Sequence, residues 1–263
     1  MKRRILLGAL IGASALAAIP TAANAATTCT FDSAKRKLEV RYGAGDTRVT
    51  VRNGAGLEFR AGTTGAFQNC FSATGVMSSA ANTDKVTIAA FNSTTAANDQ
   101  ITTIDESRGD FSSSNPKLAF FVLTGSGRDR LIVNETSSLD QVGVQNQTGT
   151  LAVGPAVDLD MDGDLDIRMT TGFDDIVQVN GNGFSDLLDA TKLTVAQAVL
   201  VGGDGNDSLK GGAMQDSFFG GNGDDSIFAQ DGLPETVDGG ADNDKARMDF
   251  GKDQPTSIET SIF

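Results

Sequence analysis

Downstream of residue 25 the chain shows little helical periodicity, and its apolar and polar residues alternate in short runs instead. Leu38, Val40 and Tyr42 alternate with Glu39 and Arg41, Val49 and Val51 with Thr50 and Arg52, and Leu57 and Phe59 with Glu58 and Arg60. A period of two places each apolar set on one face of an extended strand, so every run predicts a half-buried strand. Gly43-Ala44-Gly45-Asp46 and Asn53-Gly54-Ala55-Gly56 bound these runs with residues that favour tight turns. Further strands are expected at 86–88, 118–123, 131–133, 142–144, 165–169 and 176–179. Residues 190–201 (ATKLTVAQAVLV) suit a helix by their alanine content and a strand equally well by their Val and Leu. Short strands at this spacing belong to a sandwich, a barrel or a solenoid, and an internal repeat decides among them.

Such a repeat begins at Gly202. The chain reads GGDGNDSLK, GGAMQDSFF, GGNGDDSIF and AQDGLPETV, and after one inserted residue, Asp238, GGADNDKAR from Gly239. The first and third blocks satisfy G-G-x-G-x-D-x-(large apolar)-x throughout. The second keeps both glycines, Asp216 and Phe218; the fifth keeps Gly239, Gly240 and Asp244 but has Ala246 at the apolar place. The fourth is eroded, with Pro234 where the aspartate is expected. A flexible Gly/Asp linker has no reason to place Leu209, Phe218 and Ile227 nine residues apart.

The spacing has a physical logic. Six residues such as Gly202 to Asp207 form a turn whose glycines permit positive φ and close backbone approach. The turn presents carbonyl oxygens beside the Asp carboxylate, and calcium takes about six to eight such oxygens at about 2.3–2.6 Å. Ser208-Leu209-Lys210 then forms a short strand with one apolar side chain inward. Two nine-residue blocks make one coil, so Gly202–Asp207 lies beneath Gly220–Asp225, with Gly239–Asp244 next on the same side. An ion is expected between Asp207 and Asp225, aided by Gly203, Asp204, Gly205, Gly221 and Gly223, and a second between Asp225 and Asp244 near Asp242. The opposite side pairs the Asp216 turn with the degraded fourth block. This pattern resembles the RTX, or haemolysin-type, calcium-binding repeat family over about 45 residues, Gly202 to Arg247. The resemblance implies an all-β fold, a right-handed parallel β-solenoid (β-roll) with calcium ions between stacked turns.

Weaker echoes lie upstream. TGSGRDRLI (124–132) places Asp129 at the ligand position and Leu131 inward, and residues 172–176 and 181–187 are looser copies. They predict a solenoid over 115–247, strongest at 202–247. The run Asp158-Leu159-Asp160-Met161-Asp162-Gly163 has the D-x-D-x-D-G opening of an EF-hand loop. Met169 stands where that loop needs a bidentate Glu, so a calcium-binding turn using Asp158, Asp160 and Asp162 is expected rather than an EF-hand. A solvated acidic turn is the bland alternative.

Charge fits a cation-binding surface. Formal net charge is −13 and becomes −16 without the basic residues Lys2, Arg3 and Arg4. Twenty aspartates fall between Asp158 and Asp253, a balance that disfavours nucleic acid and anionic membranes. The three basic residues precede an apolar stretch from Ile5 to Ile19, Pro20, and the small-x-small pattern Ala23-Asn24-Ala25. This reads as a secretory signal peptide cleaved after Ala25, too short to span a bilayer comfortably, and Arg3-Arg4 leaves the twin-arginine route open beside the Sec route. No membrane span is expected afterwards. In an oxidising compartment Cys29 and Cys70, the sole cysteines, are expected to pair.

The chain has no histidine, which excludes HExxH zinc chemistry and Ser-His-Asp or Cys-His catalysis. The expected organisation is a signal peptide (1–25), an N-terminal β-rich section with the disulfide (26–114), the solenoid (115–247) and a C-terminal cap (248–263) using Phe250, Ile258 and Ile262. The expected function is a secreted, non-catalytic calcium-binding protein, structural or adhesive, ordered by its ions, with an unidentified cell-surface or protein partner. The alternative is a calcium-dependent β-helix polysaccharide lyase or hydrolase, in which the adjacent Asp174 and Asp175 would point to opposite faces of a strand.

Overall fold

The computed structural model describes residues 26–43, 46–89, 99–108, 111, 118–123, 128–136, 138, 140–146, 154–161, 165–170 and 175–263. The expected signal peptide lies outside the described residues, as do Asp162, Gly163, Asp174 and the turn 124–127. The fold is all-β, with two sheets facing each other across an apolar interior. A short 3-10 turn at Ala80–Asn82 is the one helical element among the described residues. Most strands pair in parallel, an arrangement compatible with a β-solenoid.

From Ile176 onward the chain passes alternately from one sheet to the other. One sheet receives Leu187–Lys192, Ser208–Lys210, Ser226–Phe228, Lys245–Arg247 and Thr260–Ile262, each parallel to the one before. The other receives Ile176–Gly183, Gln197–Asp204, Ser217–Asn222, Thr236–Ala241 and Gln254–Thr256, paired the same way. Alternation explains the facing: Leu209, Phe218, Ile227, Val237 and Ala246 are buried between the sheets while their strand neighbours turn outward. The 190–201 segment contributes to two strands with Ala190, Ala198 and Leu200 inward, so its helical alternative falls away.

The same parallel pairing starts far upstream of residue 115. Lys37–Arg41, Lys85–Ala89 and Ala119–Leu123 stack in the first sheet, and Arg48–Asn53, Ile101–Asp105 and Arg130–Asn134 in the second. These coils are long: equivalent edge positions lie 29 and 46 residues apart, against 18 and 19 downstream. Long connections between strands impose no short repeat, so the nine-residue pattern does not mark them. In the first sheet the antiparallel strands Pro155–Asp158 and Ile167–Thr170 are wedged between Gln141–Asn146 and Ala119–Leu123. In the second sheet Arg130–Asn134 and Ile176–Gly183 pair directly.

Both sheets finish at the N-terminal end in antiparallel strands, Thr28–Asp32 in one and Leu57–Ala61 with Gln68–Asn69 in the other. The Cys29–Cys70 disulfide joins these two borders, with a Cα–Cα distance of 5.9 Å. At the other end residues 248–263 add one more strand to each sheet. Ile258 packs against the core there, but Phe250 is 82% exposed and Ile262 47% exposed, so neither covers the last coil as expected.

Candidate metal centre

Each turn leading from the second sheet to the first is built from the glycine-rich half of a block. Gly203, Gly205, Gly221 and Gly223 have φ between +117° and +135°, which a residue with a Cβ rarely adopts. Asp242 takes φ +84° at the place equivalent to Gly223, and Asn182 and Phe184 take +73° and +74° one coil earlier. The turn at 181–186 therefore shares the path of the repeats without glycine at its two positive-φ places. Backbone hydrogen bonds from Gly205 N–H to Asn222 O (2.7 Å) and from Gly223 N–H to Ala241 O (3.2 Å) tie successive turns together.

At the end of each turn stands an acid, and the strand register stacks these acids in a column: Asp140, Asp186, Asp207, Asp225, Asp244 and Glu259. Each backbone N–H donates to the carboxylate one coil further on. Asp140 donates to Asp186 Oδ1 (2.8 Å), Asp186 to Asp207 Oδ1 (2.7 Å), and Asp207 to Asp225 Oδ1 (2.7 Å). Asp225 donates to Asp244 Oδ1 (2.8 Å), and Asp244 to Glu259 Oε2 (2.8 Å). One oxygen of each aspartate is thereby used. The other, Oδ2 of Asp186, Asp207, Asp225 and Asp244, is buried with no hydrogen-bond partner.

The unpartnered oxygens share a setting. A Cβ placed on Gly202 would collide with Asp207 Oδ2 and lie 2.6 Å from the Gly220 carbonyl oxygen of the next coil. Gly220 stands in the same relation to Asp225 Oδ2 and the Gly239 carbonyl, and Gly181 to Asp186 Oδ2 and the Gly202 carbonyl. A carboxylate oxygen and a glycine carbonyl thus converge once per coil, beside a glycine whose missing side chain leaves the approach open. Burial pushes Asp186 up to about 7, with Asp207 and Asp140 adding negative charge. Burial likewise pushes Asp225 up to about 7, aided by Asp207, Asp244 and Asp224, and raises Asp207 and Asp244. An unpartnered buried carboxylate is costly, and a cation is its natural partner. The donors are carboxylate and carbonyl oxygens, with neither imidazole nor thiolate, which suits a hard ion such as calcium and not zinc.

The structure places the remaining expected residues as follows. Asp207, Asp225 and Asp244 share the column; Asp204 is exposed and accepts a hydrogen bond from Asn222 Nδ2 (2.7 Å), outside it. Asp129 lies on the opposite edge, where Oδ1 accepts from Gln100 N–H (2.8 Å). Asp216 is on that edge too, and both its oxygens accept backbone hydrogen bonds, from Ala198 (2.7 Å) and Gly212 (2.6 Å). Burial pushes it up to about 6. Asp158 and Asp160 come together with Asp166, their carboxylate oxygens within 4.8 Å of one another, at the antiparallel wedge. Asp166 Oδ2 accepts from Leu159 N–H (2.8 Å) and closes that turn. A cavity of about 310 Å³ opens beside it, lined by Gly143, Asp158, Met161, Asp189, Thr191 and Lys192.

One register differs from the sequence reading. Thr236 pairs with Ser217 and Asp238 with Phe219, so Asp238 is an ordinary strand residue. The extra residue lies in the turn before it, and Glu235, not Pro234, occupies the place equivalent to Asp216. Sequence reasoning also left Asp140, Asp186 and Glu259 out of the column. The loose copy at 181–187 was the signal for Asp186; nothing in the local pattern marks the other two. The chain matches no family model, no curated protein and no solved structure.

Proposed function

We propose that the chain is an exported, non-catalytic calcium-binding protein of RTX type, folded as a right-handed parallel β-solenoid whose C-terminal coils are completed by calcium. One observation carries this reading: four aspartates of a single column each keep one buried oxygen without a partner, facing a glycine carbonyl of the next coil or its equivalent. In low free calcium these carboxylates repel one another and disfavour the stack. At millimolar calcium, sites with dissociation constants of about 10⁻⁴–10⁻³ M fill and order it. This couples folding to export, with a structural or adhesive role outside the cell.

The test is circular dichroism and melting of the chain from residue 26 onward, in calcium, in magnesium and in chelator. Calcium should raise the melting temperature and the β signal, magnesium should do so far less, and Asp225→Asn should blunt the response. A melting curve indifferent to calcium would end the proposal.

The alternative, a polysaccharide lyase or hydrolase, has one observation in its favour. A groove of about 340 Å³ on the second sheet is lined by Arg48, Arg60, Asp105, Asn134, Gln178 and Asn180, polar side chains suited to an acidic sugar chain. Among the described residues Asp105 is the one carboxylate lining it, whereas acid–base cleavage by carboxylates ordinarily takes two. Cleavage of polygalacturonate that is lost in Arg60→Ala would promote this reading.

A further inference from the structure

The edge opposite the acid column carries a second arrangement, in the turn that breaks the repeat. Asp231, Glu235 and Asp249 offer carboxylate oxygens that all lie within 4.8 Å of one another. Two oxygens bound to one calcium at about 2.3–2.6 Å each are themselves no more than about 5 Å apart. Proximity of acids is common at surfaces and makes no site by itself. What distinguishes this one is Glu235, which is 2% exposed and has neither carboxylate oxygen hydrogen-bonded.

The surrounding backbone explains why. At the equivalent place one coil earlier, Asp216 takes the N–H groups of Ala198 and Gly212. In the lengthened turn Asp231 N–H, which stands four residues before Glu235 as Gly212 does before Asp216, donates instead to Asp249 Oδ2 (3.1 Å), together with Gly232 N–H (2.5 Å). Asp253 takes the N–H of Glu235 at Oδ1 (3.1 Å) and that of Asp249 at Oδ2 (2.6 Å). Lys252, the nearby cation, gives Nζ to the Gly232 carbonyl (2.6 Å) and closes the turn rather than neutralising an acid. Asp249 and Asp253 are thus held in place by backbone donors, and Glu235 is left facing other carboxyl groups with no N–H donor of its own.

We propose that Asp231, Glu235 and Asp249 form a separate divalent-cation site, calcium being the ion their oxygen-only donors suit. It shares no residue with the column and differs in kind. The column offers one carboxylate and a carbonyl per coil, whereas this turn gathers three carboxylates at a single point. Its higher charge predicts tighter binding than in the column, so it fills first in a titration. It also closes the side of the coil that the sequence pattern leaves degraded, and so pins the last two coils.

The experiment is calcium binding to the full chain from residue 26, followed by calorimetry and equilibrium dialysis in calcium chloride alone. Glu235→Gln should lower the number of bound ions by one and remove the tightest phase, leaving the weaker phase in place. Without calcium it should melt close to the wild type, because Gln is an uncharged isostere of a carboxyl that burial and the neighbouring Asp253 and Asp231 hold protonated. Asp231→Asn, a change at an exposed residue, should remove the same phase even if the buried substitution disturbs folding. Loss of the weaker phase in Asp225→Asn, with the tight phase kept, separates the two sites. An unchanged ion count in both Glu235→Gln and Asp231→Asn overturns this site while leaving the column reading intact. A wild-type chain that binds one ion, lost in Glu235→Gln, supports this site and removes the column.

Discussion

The coils at the two ends of the stack are held together by different means. Upstream, strands bury two apolar residues apiece: Leu38 and Val40, Val86 and Ile88, Phe120 and Val122. Phe111 packs edge-on against Phe120, Tyr42 donates through its hydroxyl to the Ile101 carbonyl (2.9 Å), and the disulfide clamps the border. Downstream, Ser208–Lys210, Ser226–Phe228 and Lys245–Arg247 bury one apolar residue each, Leu209, Ile227 and Ala246. At about 1.5–3 kcal/mol for each large apolar side chain withdrawn from water, a downstream strand gains half or less of what an upstream one does. It also encloses a carboxylate per turn. The contrast teaches that the thin coils need something besides their core, and the unpartnered oxygens of the acid column indicate where it acts.

The largest expected effect falls on the upstream end. Replacing Cys29 and Cys70 with serine opens a 41-residue separation and should cost about 3–4 kcal/mol in the loop-closure account, read from denaturant unfolding. If the contrast holds, the calcium response of the downstream coils stays the same in that variant. A calcium response that disappears with the disulfide would mean that the two ends unfold as one unit.

Next is Gly202→Ala, which drives a methyl group into Asp207 Oδ2 and the Gly220 carbonyl. We expect a loss of about 1–3 kcal/mol by overpacking, together with weakened calcium binding. The same substitution at Gly65, where a Cβ meets nothing within 4 Å, leaves calcium binding unchanged and costs only the strain of its φ of +103°.

The third effect is on pH dependence. Without cations, burial pushes Asp186 and Asp225 up to about 7 and Asp216 up to about 6 in the folded chain, against an ordinary 3.8. Between pH 7 and 4 the folded state therefore holds protons that the unfolded chain has released. Stability of the cation-free coils should rise as pH falls through that window and decline as pH rises. With calcium bound the slope reverses, because protons compete with the ion for the same oxygens. Melting in chelator and in calcium at pH 5 and pH 8 measures both slopes.

Much of this contrast is legible in the sequence, and where it is not the cause is physical. Alternation located Lys37–Arg41, Arg48–Asn53 and Leu57–Ala61, because a strand buried on one face must alternate. The nine-residue spacing of Leu209, Phe218 and Ile227 yields the downstream register, because tight turns leave no slack between strands. Upstream coils were hidden, since turns of variable length relax that constraint, and Lys37–Arg41 meets its partner Lys85–Ala89 only after a long excursion. Glu235 escaped notice because one added residue in its turn shifts the count, while strand pairing restores the register. Asp140 and Glu259 carry no glycine signature, and only the column reveals them.

The central claim is that calcium orders the downstream coils selectively. Amide hydrogen exchange of the intact chain, in calcium and then in chelator, tests it most directly. The account predicts that the amides of Ser208, Ser226 and Lys245, which bond to Asp186, Asp207 and Asp225 of the preceding coils, lose protection on chelation. Those of Val86 and Phe120 keep theirs. Equal protection of both sets with and without calcium would contradict it.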